Sequence, residues 1–220
     1  MKGLRKILIF VLAVLNLSIS ADPVDEDISK LLNIYFDNKR VSLSEDGSIE
    51  NPYSDFSKGL REISKKTENM KEINIFVAPS MKPYLCGEKE DYKIVGDYST
   101  TLSVGMWKNQ TSCEDESYCF ERPTIDLEGS TIELTRMTMV QLYEVNLLNK
   151  VGLILMDKSS LSLENMTITP TKRAEIGLIS VIRGNSLSVV NIDVRMEAYS
   201  PILNYEIEQS DSSTKICLQN

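Results

Sequence analysis

The chain has 220 residues, 42% of them hydrophobic, with 24 Lys and Arg against 32 Asp and Glu and no histidine. A formal charge of −8 argues against nucleic acid and anionic lipid as partners, because Lys and Arg supply most of that binding free energy. The missing histidine removes Ser-His-Asp and Cys-His arrangements and the commonest general base.

Residues 1–21 read as a secretory signal peptide. Lys2, Arg5 and Lys6 form its positive start, Ile7 to Leu17 its apolar run, and Ser18, Ser20 and Ala21 its small-residue cleavage region. The run is short for a membrane span, so an uncleaved anchor is the rival reading. Cleavage leaves 21 basic against 32 acidic residues, a net charge of −11. The remaining ~200 residues suffice for one domain with a real core. The expected destination is the secreted fraction or the cell surface.

An N-terminal segment, 22–43, is acidic and then apolar around Ile28, Leu31, Leu32, Ile34, Tyr35 and Phe36, with a period that fits a short helix or a strand. Asp46 to Tyr53 is turn chemistry throughout. A helix is predicted next, with Ser54 as N-cap, Phe56, Leu60 and Ile63 as its apolar face, and Lys65 and Lys66 against its C-terminal dipole. Then the period drops to two. Ile73, Ile75 and Val77 alternate up to Pro79, and short strands are expected at 93–96 and 102–104. An irregular insertion follows, carrying Trp107, the sequon at Asn109, and Cys113 and Cys119.

From Pro123 a spaced apolar signature repeats. It reads Ile132, Leu134, Met137, Met139, then Leu161, Leu163, Met166, Ile168, then Leu187, Val189, Ile192, Val194, and restarts at Ile216 and Leu218. The second copy lies 29 residues after the first, and the third 25 to 26 after the second. Periods of this length mean stacked coils of short strands, each too narrow to bury its own apolar residues. On this alignment Asn165, Asn191 and Asn220 share a turn position and form an asparagine ladder, with Arg136 at that place in the first copy.

The turn Asp46-Gly47-Ser48 through Asn51-Pro52-Tyr53, the helix with Phe56 and Leu60, the strand Ile73–Val77 and the rungs 160–169 and 186–195 resemble the right-handed parallel β-helix, or pectin-lyase-like, superfamily. The resemblance covers residues 44–220 and implies an all-β fold with an N-terminal capping helix. Its parts are a cap (44–72), first coils with the Cys-containing insertion (73–122) and repeating rungs (123–220), with Ile73–Val77 as the first coil and the last rung incomplete. The superfamily includes polysaccharide lyases, glycoside hydrolases, epimerases, adhesins and long surface proteins.

The residues give no catalytic assignment, no metal ligands and no cofactor. The same alignment predicts three outward rows: Glu133, Ser162, Ser188; Thr138, Thr167, Asp193; and Asp126, Leu155, Ser180. None places two carboxylates on adjacent coils, as glycoside hydrolysis needs. In an exported chain the four cysteines suggest disulfides, with Cys113–Cys119 the expected local pair and Cys86 and Cys217 left over. Asn109 is expected to carry a glycan, and Asn165, though also in a sequon, to stay bare inside the ladder. Trp107, Tyr118 and Phe120 either stack on sugar or pack the insertion against the coil. The expected function is a non-catalytic binding and structural module, the N-terminal part of a larger surface protein. Expected partners are a polysaccharide, or an extracellular protein at the open C-terminal rung. The alternative is a lyase or hydrolase of this class whose catalytic rungs lie downstream of Asn220.

Overall fold

The structure is a computed structural model and describes residues 30–40, 43–67, 69–107, 121–149, 153–171, 178–195, 202–207 and 215–219. The leader predicted at 1–21 lies outside them. The segment whose period was ambiguous is strand β1 (Leu31–Phe36), with Ile34 and Phe36 buried and Leu31 and Asn33 exposed. It pairs in parallel with β2 (Glu72–Val77), Leu31 against Glu72 through Phe36 against Val77. The strand expected to open the stack, Ile73–Val77, is therefore its second layer.

Residues 46–53 cover the free edge of β1. Tyr35 N–H donates to the Gly47 carbonyl, and Asp37 N–H to the Tyr53 carbonyl, both at 2.9 Å. Tyr53 N–H returns a bond to Tyr35. This pairing satisfies an edge that would otherwise template another strand.

Helix α1 (Phe56–Lys66) begins one residue later than predicted. Its N-cap is Asp55, whose carboxylate accepts from the Lys58 N–H at 3.1 Å. Ser54 is instead held by Glu45, which accepts from both its N–H and its hydroxyl and pairs with Lys58 at 2.9 Å. The predicted apolar face is the buried one: Phe56, Leu60 and Ile63 seal the coil end. Gly59 lets α1 approach β1, since a Cβ there would stand 2.2 Å from the Phe36 ring.

The remaining strands are β3 (Tyr84–Leu85), β4 (Asp91–Met106), β5 (Thr124–Asp126), β6 (Thr131–Tyr143), β7 (Asn146–Asn149), β8 (Leu153–Asp157), β9 (Ser160–Pro170), β10 (Ile179–Gly184), β11 (Ser186–Val194), β12 (Leu203–Ile207) and β13 (Lys215–Gln219). The two short strands expected at 93–96 and 102–104 are one bent strand, β4. All thirteen strands belong to one curled sheet, and the pairings are parallel.

The curl follows from split partnerships. The first part of β6 pairs with β8 and its last part with β9, while β4 pairs with both parts. Three series of stacked segments result. One runs through β1, β2 and the later halves of β4 and β6 into the starts of β9 and β11, then β13. A second joins the starts of β4 and β6 to β8, β10 and β12. A third joins β3, β5, β7 and the end of β9.

Inside the first series, Ile73, Leu102, Val140, Leu161 and Leu187 stack on successive layers, all buried. Ile34, Ile75, Val104, Leu142 and Leu163 form the neighbouring column. Burying each such side chain contributes about 1.5–3 kcal/mol.

The 29-residue offset between the first two copies is not the stacking register. Ile132 and Leu134 lie against Ile154 and Met156, and Leu161 and Leu163 lie against Val140 and Leu142. The true predecessor of Leu161, Leu163, Met166, Ile168 is Val140, Leu142, Val145, Leu147, which has the same spacing 21 residues earlier. The later offset of 25 to 26 does hold. The outward rows change accordingly. Ser162 and Ser188 face one another, as do Thr167 and Asp193, and Leu155 and Ser180. Glu133 lies against Leu155, Asp126 against Leu148, and Thr167 against Asn146; Thr138 drops out of the predicted row.

Candidate functional site

A stacked coil of L-residues turns its corners where backbone φ becomes positive, a conformation that costs a non-glycine residue about 1–2 kcal/mol. The structure uses it repeatedly. At the corner between the first and third series sit Glu144, Asn165 and Asn191, with φ of 54°, 52° and 52°. Asn191 Nδ2 donates to Asn165 Oδ1 at 2.7 Å. Glu144, not Arg136, precedes them. Asn220 lies outside the described residues.

Arg136 belongs to a different corner, between the second and first series. Tyr98, Arg136, Lys158 and Arg183 all have positive φ there, 69°, 58°, 53° and 55°. Counting on from Leu134 against Met156 brings Arg136 to Lys158, and counting on from Ile182 against Asp157 brings Arg183 to Lys158. Buried hydroxyls brace the backbone behind them. Thr100 bonds the Met70 carbonyl at 2.5 Å, and Ser159 the Met137 carbonyl at 2.9 Å. Three cations therefore share one column on successive layers.

In front of this column lies a groove of ≈ 460 Å³. Lys93 and Val95 line one side, Asp157, Lys158 and Asn185 the other, and Tyr98, Arg136 and Thr138 lie between. The Arg136 guanidinium sits 5.4 Å from the centre of the Tyr98 ring, which is itself 70% exposed. Lys93 pairs with Glu133 at 3.0 Å. Arg183 Nη2 reaches both oxygens of Asp157 at 2.8 Å. Asn185 Nδ2 donates to the Lys158 carbonyl at 2.9 Å. The groove thus offers cations, a phenol ring and an amide, which suits binding through charge and stacking.

A second, apolar space of ≈ 50 Å³ lies inside the coil beneath Phe56 and Leu60 and carries no polar lining. Among the described residues no group of three or more Cys, Asp or Glu is placed to hold a metal ion, and no helix is long and apolar enough to cross a membrane. Asn109, Cys113 and Cys119 lie outside the described residues, as do Tyr118 and Phe120. Cys86 is a free thiol, fully buried, and burial pushes its pKa well up. Trp107 is buried, its ring 5.1 Å from that of Tyr35, so it packs against the sheet. Asp193 is paired with Arg195 at 2.9 Å.

The sequence reading missed the cation column. Its members are 22 and 25 residues apart, and the 29-residue alignment put Arg136 with the asparagines instead. A search for positive-φ corner positions on the 21-residue offset would have found it. The chain matches no protein family, no curated protein and no solved structure.

Proposed function

We propose that the chain is a right-handed parallel β-helix, closed at one end by α1, acting as a secreted or cell-surface binding and structural module without catalysis. The observation that carries the reading is the order of the pairings. Three parallel series each advance one layer per circuit, which is how a coiled chain stacks. The right hand follows from the strong preference of parallel crossover connections. Export rests on the charged start and apolar run of residues 1–21.

The non-catalytic half is supported by how the groove's carboxylates are used. Asp157 is tied to Arg183, and nearby Glu133 to Lys93, so each is held as an ion pair and not as a proton donor. The exposed row across the first series consists of amides and hydroxyls, Asn33, Asn74, Ser103, Gln141, Ser162 and Ser188. Expression with its own leader in a secreting cell, followed by incubation of the product with a panel of polysaccharides, tests both halves. Protein recovered from the medium and no new reducing ends are expected. Retention inside the cell, or steady release of reducing ends, would overturn the corresponding half.

A further inference from the structure

Charge is out of balance in only part of the groove. The outer pairs, Lys93 with Glu133 and Arg183 with Asp157, are closed. Arg136 and Lys158, between them, have no carboxylate partner among the described residues, and they face one another on adjacent layers. Neighbouring strands lie about 4.8 Å apart, and like charges directly opposite repel. An L-residue with a long charged side chain is also a poor choice for a positive-φ corner, where Asn serves one corner away. Both choices work against folding, in a chain whose net charge is negative. A ligand that brings negative charge to these two side chains removes the repulsion.

The geometry points to a binding site for an extended anionic oligosaccharide, one bearing sulfate or carboxylate groups along its length. The cations come one per layer, so the site matches a ligand with repeating charge better than a single small anion. The guanidinium of Arg136 suits two-oxygen recognition of either group. The exposed Tyr98 ring beside it offers a face on which a sugar ring packs. The Asn185 side chain uses its N–H on the Lys158 carbonyl, which leaves its oxygen to accept from a sugar hydroxyl. This assignment rests on the reading of the chain as a non-catalytic binding module and names what the module binds.

Titration calorimetry of the full exported chain at low salt tests it, with three hexasaccharides: a heparin fragment, an oligogalacturonate and neutral maltohexaose. The groove variant carries Arg136→Asn and Lys158→Asn, which keeps a residue tolerant of positive φ. A control carries Lys65→Asn and Lys66→Asn on α1, the same change in charge far from the groove. Binding of at least one anionic hexasaccharide and none of maltohexaose is expected. The groove variant should bind roughly tenfold more weakly, since each exposed charge contributes a modest increment, and the control should bind like the parent. Binding confined to the heparin fragment assigns sulfated chains, and binding confined to oligogalacturonate assigns uronates. No anionic binding by the parent, or equal binding by the groove variant, overturns the site. Lys158→Glu, expected to weaken binding further, covers the case in which the double variant folds poorly. The length of each sugar after incubation is read by mass. Shortened sugar overturns the non-catalytic reading and leaves the site standing.

Discussion

The capped end of the molecule and its later layers solve the same burial problem with different residues. Around α1 the core is aromatic and irregular: Phe36, Tyr53, Phe56 and Tyr84 meet at ring separations of 4.5 to 5.9 Å. Past β6 the described interior is aliphatic or methionine and repeats by layer, as in Leu161, Leu163, Met166 and Ile168. The reason is geometric. A layer in mid-stack needs only to match the layers on either side, so one size of side chain serves throughout. The end must close a cross-section with a helix lying over it, and large rings fill a gap that no repeating column reaches. Polar groups divide in the same way. The end is fastened by ion pairs, Glu45 with Lys58 and Glu90 with Arg61, whereas the layers are joined by backbone ladders and the Asn165–Asn191 bond.

The comparison predicts its own failures. Leu161→Ala removes a side chain packed between Val140 and Leu187 and is expected to cost about 2–5 kcal/mol, because layers on both sides hold the cavity open. Urea denaturation measures it. A cost below about 1 kcal/mol would mean that the stack collapses locally and does not behave as a close-packed column.

Gly59→Ala comes next. In a free helix the change would stabilise by about 1 kcal/mol. Here the new Cβ meets the Phe36 ring, so a net loss of about 1–3 kcal/mol is expected by thermal melting. A gain would show that α1 can lift away from β1. Asp55→Ala should cost about 1 kcal/mol through the lost N-cap, and Ser54→Ala less. The reverse order would restore Ser54 as the cap.

The smallest effect is an acid dependence confined to the capped end. Hydrogen bonding from Arg61, then from Tyr92, holds the Glu90 carboxyl below its usual range. Burial pushes Asp55 and Glu45 upward, but bonds from Lys58 and Ser57 to Asp55, and from Ser54 and Lys58 to Glu45, leave both lowered. A carboxylate whose folded pKa is depressed contributes stability above its unfolded value, near 4, and loses it as pH falls through the folded value. Trp107, the one tryptophan, packs against β1 and reports on this end. Its emission should shift below about pH 4 before the far-ultraviolet strand signal changes. Simultaneous loss of both signals would mean that the two regions melt as one.

Much of this was legible from residues alone, and the errors have physical causes. The helix face and the strand positions follow from periods of 3.6 and 2, which burial imposes directly. The N-cap was misplaced by one residue because Ser54 and Asp55 are both good caps, and only the competing demand of Glu45 on Ser54 decides between them. The first register failed because Ile132, Leu134, Met137, Met139 and Val140, Leu142, Val145, Leu147 have identical spacing. Both sit on β6 or just beyond it, and only strand pairing shows which one lies under Leu161. The groove inherited that error, since its cations align only once the register is right.

The layers also differ in where they tolerate length. From Ile168 to Ile179 the chain takes 11 residues, where Leu147 to Ile154 took 7, and the segment from Val104 to Ile125 takes 21. Across the corner of Tyr98, Arg136, Lys158 and Arg183 the count stays constant: 8 from Ile94 to Leu102, 8 from Leu134 to Leu142, 7 from Met156 to Leu163, and 8 from Val181 to Val189. Two edges of the coil thus behave as open margins where sequence can be added, and the third behaves as a hinge pin of fixed length. An engineer seeking to graft a loop onto this scaffold would use the margins, because an insertion at the pin would throw every later layer out of step.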